Sequence, residues 1–242
     1  MKEDTISKYW NIHKGKRCFI LGSGPSILKQ DLSLLKDEIT FCSNWFINHE
    51  QINRINVNYY CAYDINFVKP QPNQQWIEKL SNYNFAKFFP LDWKKLNIPL
   101  KGISYVKYCG ETKVYELNKF STDPINIGFY DGASVIINLS IPLAIYMGMS
   151  EIFLLGCDSV YAIKNDDLSK AYFYNIKEHH TATVHNELTE KIWQKNLFQS
   201  YEVVLDYCIR KGINIVNCTD GGELEIFPRA NYCEIIKDHT NV

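Results

Sequence analysis

Short apolar runs, each followed by glycine or by polar residues, set the rhythm of the first half of the chain. Arg17–Leu21, Ile39–Ser43 and Val57–Tyr63 are candidate strands, the first a short apolar run that ends in a glycine-rich turn. Ser33–Lys36 between the first two predicts a short helix, and Asn73–Leu80 another. From Asn82 to Thr122 the pattern loosens: Ala86–Phe89 and Ile103–Val106 read as strand fragments, and the Pro and Asn content predicts long loops. The clearest βα signal follows. Asp131-Gly132-Ala133-Ser134 predicts a helix start with Asp131 as N-cap, running to Gly148 with a kink at Pro142. Glu151–Gly156 predicts a fully buried strand. Leu188, Ile192, Leu197, Tyr201, Leu205 and Cys208 share one face of a helix from about Leu188 to Lys211, which Gly212 ends before a last strand at Ile213–Cys218.

Strands alternating with helices predict an α/β fold: one doubly wound, mostly parallel, Rossmann-like sheet. The 242 residues read as one domain. Residues 159–187 break the alternation. They are polar, rich in Tyr and His, and without period, which predicts an inserted lid.

Composition narrows the function. The net charge is −1, from 26 basic and 27 acidic residues, so there is no overall basic footprint for nucleic acid and no polybasic run for a membrane. Met1-Lys2-Glu3-Asp4-Thr5 lacks the apolar core of a secretory signal, and Asn138, Ser140 and Pro142 interrupt the longest apolar stretch, Ala133–Met149. None of the eight cysteines forms Cys-x-x-Cys, and several fall in predicted strands, where a thiol packs as a small hydrophobe. The expectation is a cytoplasmic protein with reduced cysteines.

In a doubly wound sheet, ligands sit beyond the carboxyl ends of the strands. Gly22-Ser23-Gly24-Pro25-Ser26 follows the first strand, and a glycine turn there can present backbone N–H groups to a phosphate. The alternative is a tight turn with no ligand. Asn44 follows the second strand and suits a ribose, a sugar hydroxyl or a phosphate, or else closes an Asx-turn. Asp64 follows the third strand, and Gly156-Cys157-Asp158 the buried one. Asp64 and Asp158 can hold hydroxyls or Mg²⁺, or cap the next helix. Gly132 lies at a helix start open to an anion, but Asp131 beside it would repel phosphate, which leaves Asp131 capping or holding a sugar hydroxyl. In the lid, His179, His180 and His185 are candidate bases, and Tyr161, Tyr172 and Tyr174 candidate donors to a departing phosphate; unengaged lid histidines and simple aromatic packing are the alternatives. No His-Glu-x-x-His spacing occurs, so no metal site is expected.

These blocks in this order resemble two related groups: glycosyltransferase family 42, bacterial sialyltransferases that use CMP-activated sialic acid, and the MptE-like family, named for an archaeal 6-hydroxymethylpterin diphosphokinase. The resemblance rests on Gly22–Ser26, Cys42-Ser43-Asn44, Asp131-Gly132-Ala133 and the run from Gly148 to Asp158. The tail from Asn217 to Arg229 looks more like the MptE-like group. The sialyltransferase likeness implies an inverting, metal-independent transfer without a cofactor. The glycine turn and Asn44 would hold a CMP-linked nonulosonic acid, Tyr161 and Tyr172 would assist the phosphate, and His185 would be the base. A glycan or glycolipid acceptor of bacterial lipopolysaccharide or capsule is implied, with peripheral contact at the inner face of the membrane and homo-oligomer formation left open. This chain departs from that family with Asp64 in place of asparagine and Asp131 in place of serine. The alternatives are a diphosphokinase using ATP and Mg²⁺, or a non-catalytic nucleotide-binding protein of a polysaccharide assembly.

Overall fold

The computed structural model describes residues 6–69, 71–160, 172–174 and 187–237. Seven parallel strands form one sheet: β1 (Arg17–Leu21), β2 (Ile39–Ser43), β3 (Tyr59–Cys61), β4 (Ala86–Pro90), β5 (Ile103–Val106), β8 (Glu151–Leu155) and β9 (Asn214–Asn217). Their order is β5-β4-β3-β2-β1-β8-β9. The chain builds outward from β1 in one direction, then returns to lay β8 on the other side of it. That reversal is the switch point where an open parallel sheet leaves a crevice.

Pleating explains the apolar runs. Cys18 and Ile20 of β1, Phe41 of β2, and Ile152 and Leu154 of β8 face one core. Phe19, Leu21, Cys42, Phe153 and Leu155, one residue along, face the other. With both faces buried, alternation of apolar and polar residues is lost.

The first core is covered by helices. Between β5 and β8 the chain forms a small parallel sheet of β6 (Tyr108–Lys113) and β7 (Phe129–Asp131), with a short α2 (Val114–Leu117) between them. A π-helical turn, Ile136–Ser140, then leads into α3 (Ile141–Tyr146). The long α4 (Glu187–Lys211) packs over the same face through Leu197, Tyr201, Val204 and Cys208. The second core is covered mostly by single 3₁₀ turns, with α1 (Gln74–Ser81) and α5 (Tyr232–Lys237).

The helix expected from Asp131 is not continuous. Asp131 ends β7, Ala133 has φ +65°, and helical structure begins only at Val135. Pro142 lies in the first turn of α3 directly after the π-helical turn Ile136–Ser140, so the helical run is irregular next to the proline. In residues 82–122 the expected strand fragments are β4 and β5, and the stretch expected as long loops also holds β6 and α2.

Candidate functional site

A cleft of about 190 Å³ opens beyond the carboxyl ends of β1, β2, β3 and β8. Gly22, Ser23, Gly24, Asn44, Asp64, Gly156, Asp158 and Tyr172, all singled out from sequence, line it together. Pro25, Ser26, Asp131 and Gly132 do not line it.

The turns after β1 and β8 interlock. Gly22 N–H donates to Leu155 O and Gly24 N–H to Gly156 O, each at 2.8 Å. A Cβ on Gly22 would overlap the Gly156 carbonyl oxygen and lie 2.9 Å from its carbon. On Gly24 it would strike the Asp158 carboxylate, with Asp158 Cβ 2.8 Å away. The 3₁₀ helix Pro25–Lys29 has no cap from its own Gly24. Asp158 supplies one from across the sheet: Ser26 Oγ donates to its Oδ2 at 2.6 Å and Ser26 N–H to its Oδ1 at 3.4 Å. The amides of Gly22, Gly24 and Ser26 are bonded to Leu155, Gly156 and Asp158, and close packing requires glycine at 22 and 24.

Asp158 is held from its other side as well. Glu223 N–H donates to its carbonyl at 2.7 Å, and Gly222, at φ +77°, passes so close that a Cβ would lie 2.7 Å from Asp158 Cα. Burial raises the Asp158 pKa above the ordinary carboxylate value, against the lowering effect of the Ser26 hydrogen bonds.

The turn after β2 differs. Asn44 takes φ +50°, in the left-handed region that Asn tolerates best among residues with a side chain. Its carbonyl accepts from the buried Tyr60 hydroxyl at 2.7 Å, and that hydroxyl accepts from Trp76 Nε1 at 2.8 Å. The backbone is thus anchored, while the side-chain Oδ1 is buried with no hydrogen-bond partner among the described residues. Buried polar atoms are nearly always paired, so an orphaned amide oxygen in a cleft marks a place for a donor.

Asp64 caps the turn Ile65–Phe67, accepting from Asn66 N–H at 2.9 Å, and still lines the cleft. Asp131 is engaged elsewhere. Lys113 Nζ reaches its Oδ2 at 2.7 Å, while Asn138 Nδ2 and Ala133 N–H reach its Oδ1, both at 3.0 Å. It thereby fixes the strained Ala133, which with Ser134 forms the far wall of the cleft. Gly132 is packed against Ile137, whose Cβ would lie 2.9 Å from an added Cβ. The capping expected of Asp131 falls to Ser134, whose Oγ accepts from Ile136 N–H at 3.2 Å.

Residues 172–174 lie over the glycine turn. Phe173 N–H donates to Ser23 O at 2.9 Å, and its ring packs edge-on against His49 (5.0 Å) and Phe46 (5.8 Å). That contact brings Tyr172 to the cleft, with Tyr174 5.3 Å from it. His49 is buried, its Nδ1 accepts from Gln51 N–H at 3.2 Å, and burial lowers its pKa. Tyr161, His179, His180, His185 and most of the lid lie outside the described residues.

Sequence reasoning missed Tyr63, Trp193, Leu197 and Tyr201 as cleft residues. Leu197 and Tyr201 belong to the apolar face of α4, which reads as core. Trp193, four residues before Leu197, lies on the same stripe but is 42% exposed, so the periodicity alone does not separate it from the core. Among the described lining residues none is Lys, Arg or His.

No protein-family model matches the chain, and no curated protein matches it significantly. Solved structures do match in fold. The MAf glycosyltransferase of Magnetospirillum magneticum AMB-1 superposes with a TM-score of 0.55 at 16% identity, over 95% of this chain but 38% of that one. This chain therefore spans well under half of that protein. The sialyltransferase CstII of Campylobacter jejuni, solved with cytidine-5′-monophosphate as substrate analogue, gives 0.52 at 16% identity, over 90% of this chain and 88% of that one. A structure of CST-II with a trisaccharide acceptor and CMP gives 0.50 at 14% identity, over 88% and 85%. At these identities the likeness is one of fold. None of the three supports the resemblance to the MptE-like group.

Proposed function

We propose that the chain is a glycosyltransferase that moves a sugar from a nucleotide-activated donor, a CMP-linked nonulosonic acid, to a glycan or glycolipid acceptor of the bacterial surface. Asn44 carries this reading. Its anchored backbone and orphaned buried oxygen form a preorganised acceptor for a ligand N–H or O–H at the switch point of the sheet. The fold likeness to glycosyltransferases supports the reaction class, and CMP in two of those structures supports the donor class.

The described walls suit a donor of low charge. Two carboxylates and no cation line them, a poor setting for a diphosphate and a tolerable one for a single phosphodiester. The ATP-and-Mg²⁺ alternative needs Asp64 and Asp158 as ligands, and both oxygens of Asp158 accept hydrogen bonds from Ser26.

In the proposed reaction an acceptor hydroxyl oxygen attacks the anomeric carbon, the bond from that carbon to the phosphate oxygen breaks, and CMP leaves with inversion. Tyr172 donates to the departing phosphate from the cleft wall. The resemblance assigns His185 the acceptor proton and Tyr161 a second hydrogen bond to the phosphate. Proton removal by a placed base contributes about 10²- to 10⁴-fold.

A thermal-shift panel of CMP, UDP, GDP and ATP, each with and without Mg²⁺, tests the donor class. Ligand at 100 times its Kd stabilises the fold by about 2.7 kcal/mol, a readable shift. The expected result is a metal-independent shift with CMP. A shift only with ATP and Mg²⁺ would support the diphosphokinase alternative, and His185→Ala with full transferase activity would remove the base assignment.

A further inference from the structure

The cleft has two unlike walls. Ser23, Ser43, Asn44 and Asp64, at the ends of β1, β2 and β3, line one with polar groups. Trp193, Leu197 and Tyr201 of α4 line the other, spaced four residues apart so that they share one face and rise about 6 Å at a time. Tyr201 and Leu197 are buried; Trp193 carries the same wall out to solvent at the rim. A lone exposed apolar side chain is ordinary, but this ring continues a buried apolar wall of a ligand cleft.

The ring's place along the cleft is fixed by its neighbour. Gln194 Nε2 donates to the Ser159 carbonyl at 3.3 Å and to Glu223 Oε2, and Glu223 N–H donates to the Asp158 carbonyl at 2.7 Å. Trp193 therefore stands on the side of the turn after β8. In the sheet β1 lies between β8 and β2, so two strand spacings, about 10 Å, separate that turn from the turn that carries Asn44. A donor held at Asn44 leaves the Trp193 rim for the second substrate, which enters from solvent.

We propose that Trp193 is the platform on which the acceptor sugar packs. A pyranose carries its hydroxyls around its edge and C–H groups on its faces, so one face lies on an indole while the edge stays free for hydrogen bonds to the opposite wall. Packing a face fixes the direction of the edge hydroxyls, the orientation that attack on the donor needs. The inference rests on the transferase reading of the cleft and adds to it the acceptor's position and class: a pyranose with an open apolar face rather than an acyclic or lipid hydroxyl.

Trp45, Trp76 and Trp93 are buried and Trp10 is exposed on Tyr146, so Trp10→Phe leaves Trp193 as the exposed indole. In that background methyl β-glucoside or methyl β-galactoside should shift tryptophan emission saturably, without CMP as well as with it. Sorbitol, which has the hydroxyls but no ring, should not. By saturation-transfer NMR, Trp193→Ala should weaken pyranoside binding at least about threefold and Trp193→Phe less, with unchanged melting midpoints and CMP affinity within about twofold of wild type. Pyranoside binding that is absent, or equal in wild type and Trp193→Ala, would overturn the proposal. So would a CMP affinity that falls in Trp193→Ala while pyranoside binding holds, which would give the ring to the nucleobase. Pyranoside binding through Trp193 in a protein that binds no CMP would strike the donor assignment at Asn44 and keep the sugar platform.

Discussion

After β1 the chain makes a turn whose amides and glycines are committed to the turn after β8. After β2 it makes a turn that is firmly anchored by its backbone yet leaves the buried Oδ1 of Asn44 without a partner among the described residues. Both turns border the same cleft. The first is what a glycine-rich motif looks like when packing demands it. The second is what a ligand site looks like when the ligand is not counted: strain at φ +50° and an unsatisfied acceptor, held in place by Tyr60 and Trp76. Stability and binding should therefore separate between the two turns.

Gly22→Ala should break the first turn most severely. Its Cβ meets the backbone carbonyl of Gly156, which cannot swing away as a side chain could, and a loss of about 3 kcal/mol is expected by urea titration. An unchanged midpoint would show that the two turns can part.

Asp158→Ala strands the Ser26 hydroxyl and amide and should cost about 1–3 kcal/mol. Asp158→Asn keeps an acceptor and should cost much less, and it tests the pH behaviour. The folded pKa of Asp158 is raised, so its contribution to stability is full below the unfolded value of 3.8 and is lost as pH rises through the folded value. Relative to wild type, Asp158→Asn should lack that acid-side gain. Identical pH profiles would contradict the assignment.

Asn44→Gly keeps the left-handed backbone and removes the orphaned oxygen. Its stability should equal wild type or exceed it by up to about 1 kcal/mol, since Gly accepts φ +50° freely and no buried acceptor is left unpaired. A clear loss of stability would mean that Oδ1 already has a partner.

The smallest effect concerns His49, on which residue Phe173 rests. Its pKa is lowered by burial, and its neutral Nδ1 accepts from Gln51 N–H. Its contribution is present above the unfolded value of 6.5 and is lost as pH falls through the lowered folded value. His49→Phe should flatten this acid-side slope by less than about 1 kcal/mol, measured as thermal midpoint against pH.

Much of the frame was readable from the chain. Arg17–Leu21, Ile39–Ser43 and Ile103–Val106 are strands with the expected bounds; the first two, buried along nearly their whole length, write mostly apolar runs, and the edge strand Ile103–Val106 alternates in burial. The sheet β6–β7 was not readable. Tyr108–Lys113 is only half-buried, and its residues, Tyr-Cys-Gly-Glu-Thr-Lys, carry no strand pattern. The start of the helical segment before α3 was misplaced because Asp131 binds Lys113 and Asn138, partners 18 and 7 residues away that capping rules do not see. The site followed from topology, since four strand ends converge wherever the sheet reverses. The fate of the glycine amides did not, because their acceptors Leu155 and Gly156 lie more than a hundred residues along the chain.

The most direct test of the account is CMP binding by calorimetry to wild type and to Asn44→Gly, without divalent metal and beside a melting curve for each. The account predicts binding to wild type and at least about a tenfold loss in Asn44→Gly, with the variant as stable as wild type or more so. Equal affinity for the two proteins, or no CMP binding to wild type, would contradict it.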